Sequence, residues 1–145
     1  MEKIKSFTVN HLKLKSGLYV SRIDNFGTDI TTFDMRFTAP NIEPVMDTGS
    51  IHTLEHLGAT FFRNSNIKNS VVYFGPMGCR TGFYLLTTNM TKDDAKNLLI
   101  ESLKKVQDFD HVPGAQKIEC GNYLEHDLDG AKKECAKYLD LLLSL

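Results

Sequence analysis

The chain has 145 residues, which fits one domain with a sizeable core, and we expect a single domain over residues 1–145. Its 17 basic and 18 acidic residues give a formal net charge of −1, so nothing indicates nucleic acid or an anionic membrane as a partner. No apolar run approaches the roughly 20 residues of a membrane helix, and the charged N-terminus lacks the apolar core of a signal peptide. We therefore expect a cytoplasmic protein, in whose reducing surroundings the three cysteines are available as thiols.

The first half of the chain predicts two strands, a loop and a helix. In chain order these cover residues 18–23, 30–38, 40–49 and 50–63. The second strand has the clearer pattern, because Phe33 and Met35 alternate with polar residues as in a half-buried strand. Asp34 and Arg36 then share the opposite face. Ser50 is the predicted N-cap of the helix, since its hydroxyl can accept a hydrogen bond from the first turn.

The second half predicts two strands around a turn, followed by two helices. The strands cover residues 71–74 and 83–88, and the helices cover residues 92–107 and 129–143. Thr91 and Asp94 form a predicted capping box at the start of the first of these helices. Cys135 lies in an apolar stripe of the second and is assigned to the core. Strands and helices in this irregular order predict an α+β fold, with a mainly antiparallel sheet packed against about three main helices.

Two histidines one helical turn apart are the most informative feature. His52 and His56 lie on the same side of the predicted helix, with Glu55 beside them and large apolar residues on the other side. Two imidazoles in this arrangement can bind one divalent metal, and the carboxylate is placed to move protons near it. The alternative is a chance pair of solvated histidines on an exposed helix face.

A two-histidine site needs a further protein ligand, and Cys120 is the best candidate. A thiolate together with two imidazoles suits zinc or ferrous iron. His126 and His11 are rival third ligands, and a buried apolar position is the alternative for Cys120.

Cys79 lies in a turn that is rich in glycine. Residues 75–82 hold three glycines and a proline, and Arg80 follows Cys79 directly. Glycine lets the backbone approach a ligand closely, and a neighbouring cation lowers the pKa of a thiol. Cys79 could therefore serve as a base or nucleophile. The segment alone is equally consistent with a tight turn that contains an incidental cysteine.

Five blocks of sequence form a familiar pattern when they are taken together. They are Ser6-Phe7 with His11, residues 33–37, residues 52–57, residues 75–84, and Cys120-Gly121-Asn122 with His126-Asp127-Leu128. In order and spacing they resemble the S-ribosylhomocysteine lyases of the LuxS family, over nearly the whole chain. The His-Thr-Leu-Glu-His block (residues 52–56) combined with the Pro-Met-Gly-Cys block (residues 76–79) makes the resemblance highly specific.

The resemblance implies one divalent metal per subunit, held by His52, His56 and Cys120. The physiological metal is expected to be ferrous iron, and zinc or cobalt can replace it in the isolated protein. The implied reaction cleaves S-ribosylhomocysteine to homocysteine and 4,5-dihydroxy-2,3-pentanedione, the precursor of the quorum-sensing signal autoinducer-2. We expect Cys79 to drive carbonyl migration along the ribose, and Glu55 to shuttle protons and serve the final elimination.

The resemblance also implies a homodimer with active sites at the subunit interface, where the N-terminal segment of one subunit completes the site of the other. The positions that match substrate contacts from the partner subunit are Ser6, His11 and Arg36. The positions that match contacts near the homocysteine part are Arg63, Met77 and Gly78.

One departure from the family pattern concerns residues 71–74. Many relatives carry an aspartate shortly before the Pro-Met-Gly-Cys block, whereas this stretch holds no acid. Tyr73 can replace the missing sugar contact through its hydroxyl, or another group can. Because the ligands and both bases remain, we do not expect a loss of activity.

Two other functions share part of the pattern. His-x-x-Glu-His is also the signature of inverzincin metallopeptidases, in which the glutamate activates a zinc-bound water. The small chain, the Cys120 ligand and the Cys79 turn argue against a peptidase, because peptide hydrolysis needs no second thiol. A structural zinc module would need a fourth protein ligand, which only His126 or Cys79 could supply.

Overall fold

The computed structural model describes residues 1–145 and has the predicted α+β architecture. The strands are β1 (Gly17–Asn25), β2 (Asp29–Arg36), β3 (Val71–Pro76) and β4 (Gly82–Thr88), and the helices are α1 (Thr48–Arg63), α2 (Lys92–Val106) and α3 (Leu128–Ser144). Short 3-10 turns lie at Lys5–Phe7 and Lys68–Ser70. The strands form one antiparallel sheet in the order β1-β2-β4-β3, so β2 and β4 are central. No helix is long and apolar enough to span a membrane.

Strand β2 is buried on both faces, and the prediction of a half-buried strand is wrong. Phe33 and Met35 belong to the main core, on the face covered by the helices. On the opposite face, Asp34 and Arg36 are also buried. They form an ion pair with an Nη2–Oδ2 distance of 2.6 Å, which satisfies both charges. Burial of polar residues requires this kind of pairing, and the sequence alternation shows only that the residues are polar.

The residues that cap the N-termini of α1 and α2 were both predicted from the sequence. The capping box of Thr91 and Asp94 is confirmed at the start of α2. The predicted cap of α1 is wrong, because the helix begins two residues earlier and Asp47 caps it. Asp47 accepts hydrogen bonds from the backbone N–H of Ser50 at 2.9 Å and from its hydroxyl at 2.6 Å. Ser50 is thus a donor inside the first turn. A carboxylate at this position also interacts favourably with the helix dipole.

Close packing against β3 fixes the position of α1. A Cβ at Gly58 would overlap the ring of Phe74, so only glycine allows the helix to come this near. Leu54 and Leu57 face the core and are almost fully buried. The other side of α1 is covered by residues 107–127, a segment without helix or strand that connects α2 to α3.

Candidate metal centre and active site

His52 and His56 are oriented by hydrogen bonds to the connecting segment. The Nδ1 of His52 donates to the carbonyl of Glu125 at 2.8 Å, and the Nδ1 of His56 donates to the carbonyl of Pro113 at 2.8 Å. A carbonyl can only accept, so each ring carries its proton on Nδ1. The Nε2 lone pairs are therefore free to bind a metal, in the arrangement that metal-ligating histidines usually show.

Cys120 lies where both Nε2 atoms converge. Its sulfur is 3.5 Å from the Nε2 of His52 and 3.9 Å from the Nε2 of His56. The turn that begins at Gln116 positions the residue, since the backbone N–H of Cys120 donates to the Gln116 carbonyl at 3.0 Å. The structure therefore brings together the three residues that were expected to ligate the metal.

His126 joins this group as a fourth potential ligand. Its Nε2 lies 3.8 Å from the Cys120 sulfur, and its ring stacks on His52 with centroids 4.0 Å apart. The four potential ligand atoms lie within 4.8 Å of one another. Burial, followed by the neighbouring His52 and His56 charges, lowers the pKa of His126. His11 is outside the group and contacts the carbonyl of Val9 instead. The only feature of the sequence that pointed to His126 as a ligand was its position six residues after Cys120.

Glu55 lies on the same helix as the two histidines and is half-buried. Its carboxylate makes no hydrogen bond and no ion pair within the chain, unlike Glu43, Asp47 and Glu125. An unpaired carboxylate beside the two histidines can accept a hydrogen bond from a bound substrate.

Cys79 lies in an exposed turn beside a buried cation. Its sulfur is 3.1 Å from the Thr81 hydroxyl and 3.9 Å from Nη1 of Arg36. Burial of the thiol opposes its ionisation. Hydrogen bonds from the Thr81 side chain and backbone, together with the Arg36 charge, outweigh that effect, and the pKa of Cys79 is lowered. Cys135 contrasts with this, because burial in the core raises the pKa of its thiol to about 12.

The cation beside Cys79 is Arg36, and the prediction of Arg80 is wrong. Arg80 adopts a left-handed backbone, with φ of 60°, and is not among the groups that lower the pKa of Cys79. Arg36 reaches the turn from the end of β2. Arg36 and Cys79 are therefore neighbours within one chain.

The expected substrate-binding residues lie in three places. Arg63, at the end of α1, donates to the carbonyl of Val72 at 2.9 Å. Met77 is buried and Gly78 is exposed in the turn before Cys79. Ser6 lines a cavity of about 350 Å³ on the outer face of the sheet, and His11 lies further along the N-terminal segment.

Tyr73, at the position without an acid, lines the same outer cavity. Its ring lies along β3 over Gly75, where a Cβ would overlap the phenol. Arg22, Thr32 and Tyr84 also line the cavity, so the phenol lies among hydroxyl groups and a guanidinium.

Comparisons with known proteins agree with this arrangement. Residues 4–144 match the family described as S-ribosylhomocysteinase (LuxS). An S-ribosylhomocysteine lyase of Clostridium acetobutylicum is 56% identical over 98% of this chain and 92% of its own. Lyases of the same name from Borreliella afzelii and Phocaeicola vulgatus are 51% and 49% identical, over 98% and 99% of this chain and 93% and 91% of their own. The chain belongs to the LuxS family.

Proposed function

We propose that this chain is an S-ribosylhomocysteine lyase that releases homocysteine and 4,5-dihydroxy-2,3-pentanedione. The observation that carries the proposal is the match to lyases of that name along almost their whole length. The site supports it independently, because a histidine–cysteine group of the kind that binds metal accompanies a thiol whose pKa is lowered. A carbon–sulfur lyase acting on this substrate needs both.

The bond to be broken explains why proton-transfer groups are required. A thioether is a poor leaving group on an ordinary sugar, but it leaves when it is β to a carbonyl. The carbonyl of the opened ribose must therefore move from C1 through C2 to C3. Each move removes a proton from one carbon and returns a proton to its neighbour. Loss of the C4 proton then expels the sulfur from C5, and the homocysteine thiolate takes up a proton.

The donor set fits a divalent metal, and His52, His56 and Cys120 would hold it. Mixed imidazole and thiolate ligands suit ferrous iron or zinc, and we propose ferrous iron as the physiological metal, with zinc or cobalt as substitutes. When bound, the metal supplies Lewis-acid polarisation of the sugar oxygens.

We assign the carbonyl migrations to Cys79. The lowered thiol pKa favours the thiolate form, and an exposed sulfur can reach a bound sugar. Arg36, held by Asp34, keeps a positive charge beside the sulfur before and after each proton transfer. Glu55, whose carboxylate has no partner, removes the C4 proton and returns a proton to the leaving sulfur.

The active enzyme is proposed to be a homodimer in the cytoplasm. Its N-terminal segment exposes large apolar side chains, including Phe7 at 70% and Leu12 at 76%, which a second subunit could cover. The outer cavity contains the hydroxyl of Thr32, which is buried without a hydrogen-bond partner. These features support a subunit contact on the outer face of the sheet, close to Ser6. A reducing compartment preserves the cysteine thiols that the proposed reaction needs.

The experiment that tests the function is anaerobic thiol release. The protein is loaded with ferrous iron and incubated with S-ribosylhomocysteine, and new thiol is titrated against time. We expect multiple turnovers that stop when a chelator removes the metal and resume when iron is restored. Cys79→Ala and Glu55→Gln should each abolish steady turnover, whereas Cys135→Ala, as a matched control, should alter only stability. Normal turnover by metal-loaded Cys79→Ala and Glu55→Gln would refute the assigned roles.

A further inference from the structure

The hydroxyl of Thr81 lies between the buried cation and the sulfur of the proposed base. Its oxygen accepts a hydrogen bond from Nη1 of Arg36 at 2.6 Å and lies 3.1 Å from the sulfur of Cys79. The direct distance from Nη1 of Arg36 to the sulfur is 3.9 Å, which is long for a hydrogen bond. The short path from the cation to the sulfur therefore runs through this hydroxyl.

The direction of the hydroxyl proton follows from what each group can donate. A guanidinium can only donate, so Arg36 occupies a lone pair of the Thr81 oxygen. The hydroxyl makes no other hydrogen bond, so the sulfur of Cys79 is the one acceptor for its proton. Thr81 is 3% exposed, and a buried hydroxyl proton without an acceptor is unfavourable. Because a thiolate accepts more strongly than a thiol, this proton favours the ionised sulfur.

The backbone of Thr81 presents the hydroxyl from a fixed position. Its carbonyl accepts hydrogen bonds from the N–H of Phe37 at 2.9 Å and from the N–H of Thr38 at 3.1 Å, which attach it to the chain just after β2. The next residue, Gly82, lies so close to β2 that an added Cβ would overlap the carbonyl of Met35. The hydroxyl is therefore held by the central strands, although the sulfur it faces belongs to an exposed turn.

The pKa of Cys79 is consistent with a larger role for the hydroxyl than for direct charge. Burial raises this pKa, and among the opposing influences the hydrogen bond from the Thr81 side chain is larger than the Arg36 charge. The other titratable groups that face the site are Asp34 of β2, which pairs with Arg36, and Tyr84 of β4. Burial, followed by the charge of Asp34, raises the pKa of Tyr84, so the phenol stays uncharged where Cys79 ionises.

We infer that Thr81 is a positioning residue for Cys79, and that its hydroxyl transmits the effect of the Arg36 charge to the sulfur. Its part in catalysis rests on the proposed function, whereas its effect on the thiol does not. During a carbonyl migration, the thiolate takes a proton from one carbon and becomes a thiol. The Thr81 proton then faces a weaker acceptor, which favours return of the proton from sulfur to the neighbouring carbon.

The pH profile of iodoacetamide alkylation tests the inference on the metal-loaded protein without substrate. Peptide mass spectrometry follows Cys79 alone. Thr81→Val should move the midpoint of its alkylation up by about one pH unit. The rate at high pH should rise about threefold, because a thiolate of higher pKa is the stronger nucleophile. Thr81→Ser should match the wild type, and an unchanged midpoint in Thr81→Val would overturn the inference.

Two controls separate the loss of the hydroxyl from a loss of structure. Thr87→Val removes another buried hydroxyl of β4, one that has no hydrogen-bond partner, and should leave the profile of Cys79 unchanged. Cys135 reports folding in the same samples, since its buried thiol should stay unalkylated. If Thr81→Val exposes Cys135, Thr81→Ala removes the same hydroxyl without adding a methyl group and takes its place.

A double-variant comparison distinguishes transmission from two independent effects. If the hydroxyl transmits the charge, Arg36→Met should shift the alkylation midpoint much less in the Thr81→Val background than in the wild type. Equal shifts in both backgrounds would show that the cation acts on the sulfur directly, and would overturn the inference.

Thiol release separates this inference from the proposed function. In Thr81→Val the acid limb of the release profile should move up by as much as the alkylation midpoint, so that activity is regained at higher pH. An unmoved release profile beside a moved midpoint would overturn the catalytic part of the inference. If the wild type released no thiol while the alkylation shifts were as expected, only the proposed function would be refuted.

Discussion

The guanidinium of Arg36 lies 3.9 Å from the sulfur of Cys79 and is held from behind by both carboxylate oxygens of Asp34. Its Nη1 also donates to the Thr81 hydroxyl at 2.6 Å, so the hydroxyl proton of Thr81 can be directed at the sulfur. Charge and hydrogen bond therefore converge on the thiol from two neighbouring strand ends. This arrangement makes a thiolate at an exposed position favourable.

Replacing Arg36 by methionine should move the ionisation of Cys79 to higher pH. The folded thiol has a lowered pKa, so its thiolate persists to lower pH than in an ordinary cysteine, and loss of the cation removes part of that effect. The pH profile of iodoacetamide alkylation, measured in a Cys120→Ala, Cys135→Ala background, reports the change. Arg80→Met is the matched control and should leave the profile unchanged. Because Arg36 is buried with Asp34, circular dichroism must first show that Arg36→Met is folded.

Mixed dimers should show which residues share a site. If the N-terminal segment completes the partner's site, His11→Ala and Cys79→Ala subunits can form one intact site per hybrid dimer. Random exchange should then restore about a quarter of wild-type thiol release, because half of the dimers are hybrids with one working site of two. Arg36→Ala mixed with Cys79→Ala should restore nothing, since these residues contact each other within one chain. Equal recovery in both mixtures would contradict this division.

Gly58→Ala should destabilise the fold and disturb the metal centre together. The added Cβ overlaps the ring of Phe74, which stacks on Phe83 at 4.9 Å and cannot easily move. We expect a loss of about 1–3 kcal/mol in the free energy of unfolding, measured with urea, and weaker zinc binding. Gly121→Ala, where an added Cβ meets nothing within 4 Å, is the stability control. Unchanged stability in Gly58→Ala would mean that α1 can shift away from β3.

Asp47→Ala should lower the free energy of unfolding by about 1 kcal/mol at pH 7, because it removes the N-cap of α1. Asp47→Asn keeps an acceptor for the Ser50 N–H and should lose less. Hydrogen bonds from Ser50 hold the pKa of Asp47 below its usual value, so the charged form is favoured in the folded state. The stabilisation is present at neutral pH and is lost as the pH falls below about 3.8 and through the folded pKa. The difference between the wild type and Asp47→Ala should therefore shrink in acid, and a constant difference would exclude the linkage.

The features that could be predicted from the sequence depend on residues that lie close together along the chain. The side of α1 that carries His52 and His56 follows from helical periodicity, and the capping box of Thr91 follows from a spacing of three residues. Arg80 was predicted as the cation because it adjoins Cys79. The cation is instead Arg36, brought in from β2 by the sheet, and periodicity carries no information about that. His126 was a rival ligand, and its actual position depends on how residues 107–127 fold back over α1.

The metal centre therefore has one stiff wall and one compliant wall. The stiff wall is α1, which the contact of Gly58 with Phe74 holds against the sheet. The compliant wall is the irregular segment, which supplies Cys120 and His126 and is attached to α1 by hydrogen bonds at Pro113, Glu125, His126 and Asp127 but by no helix or strand of its own. If the site widens to admit a sugar, residues 107–127 must move and α1 must stay in place. Amide hydrogen exchange should therefore be faster in residues 107–127 than in α1.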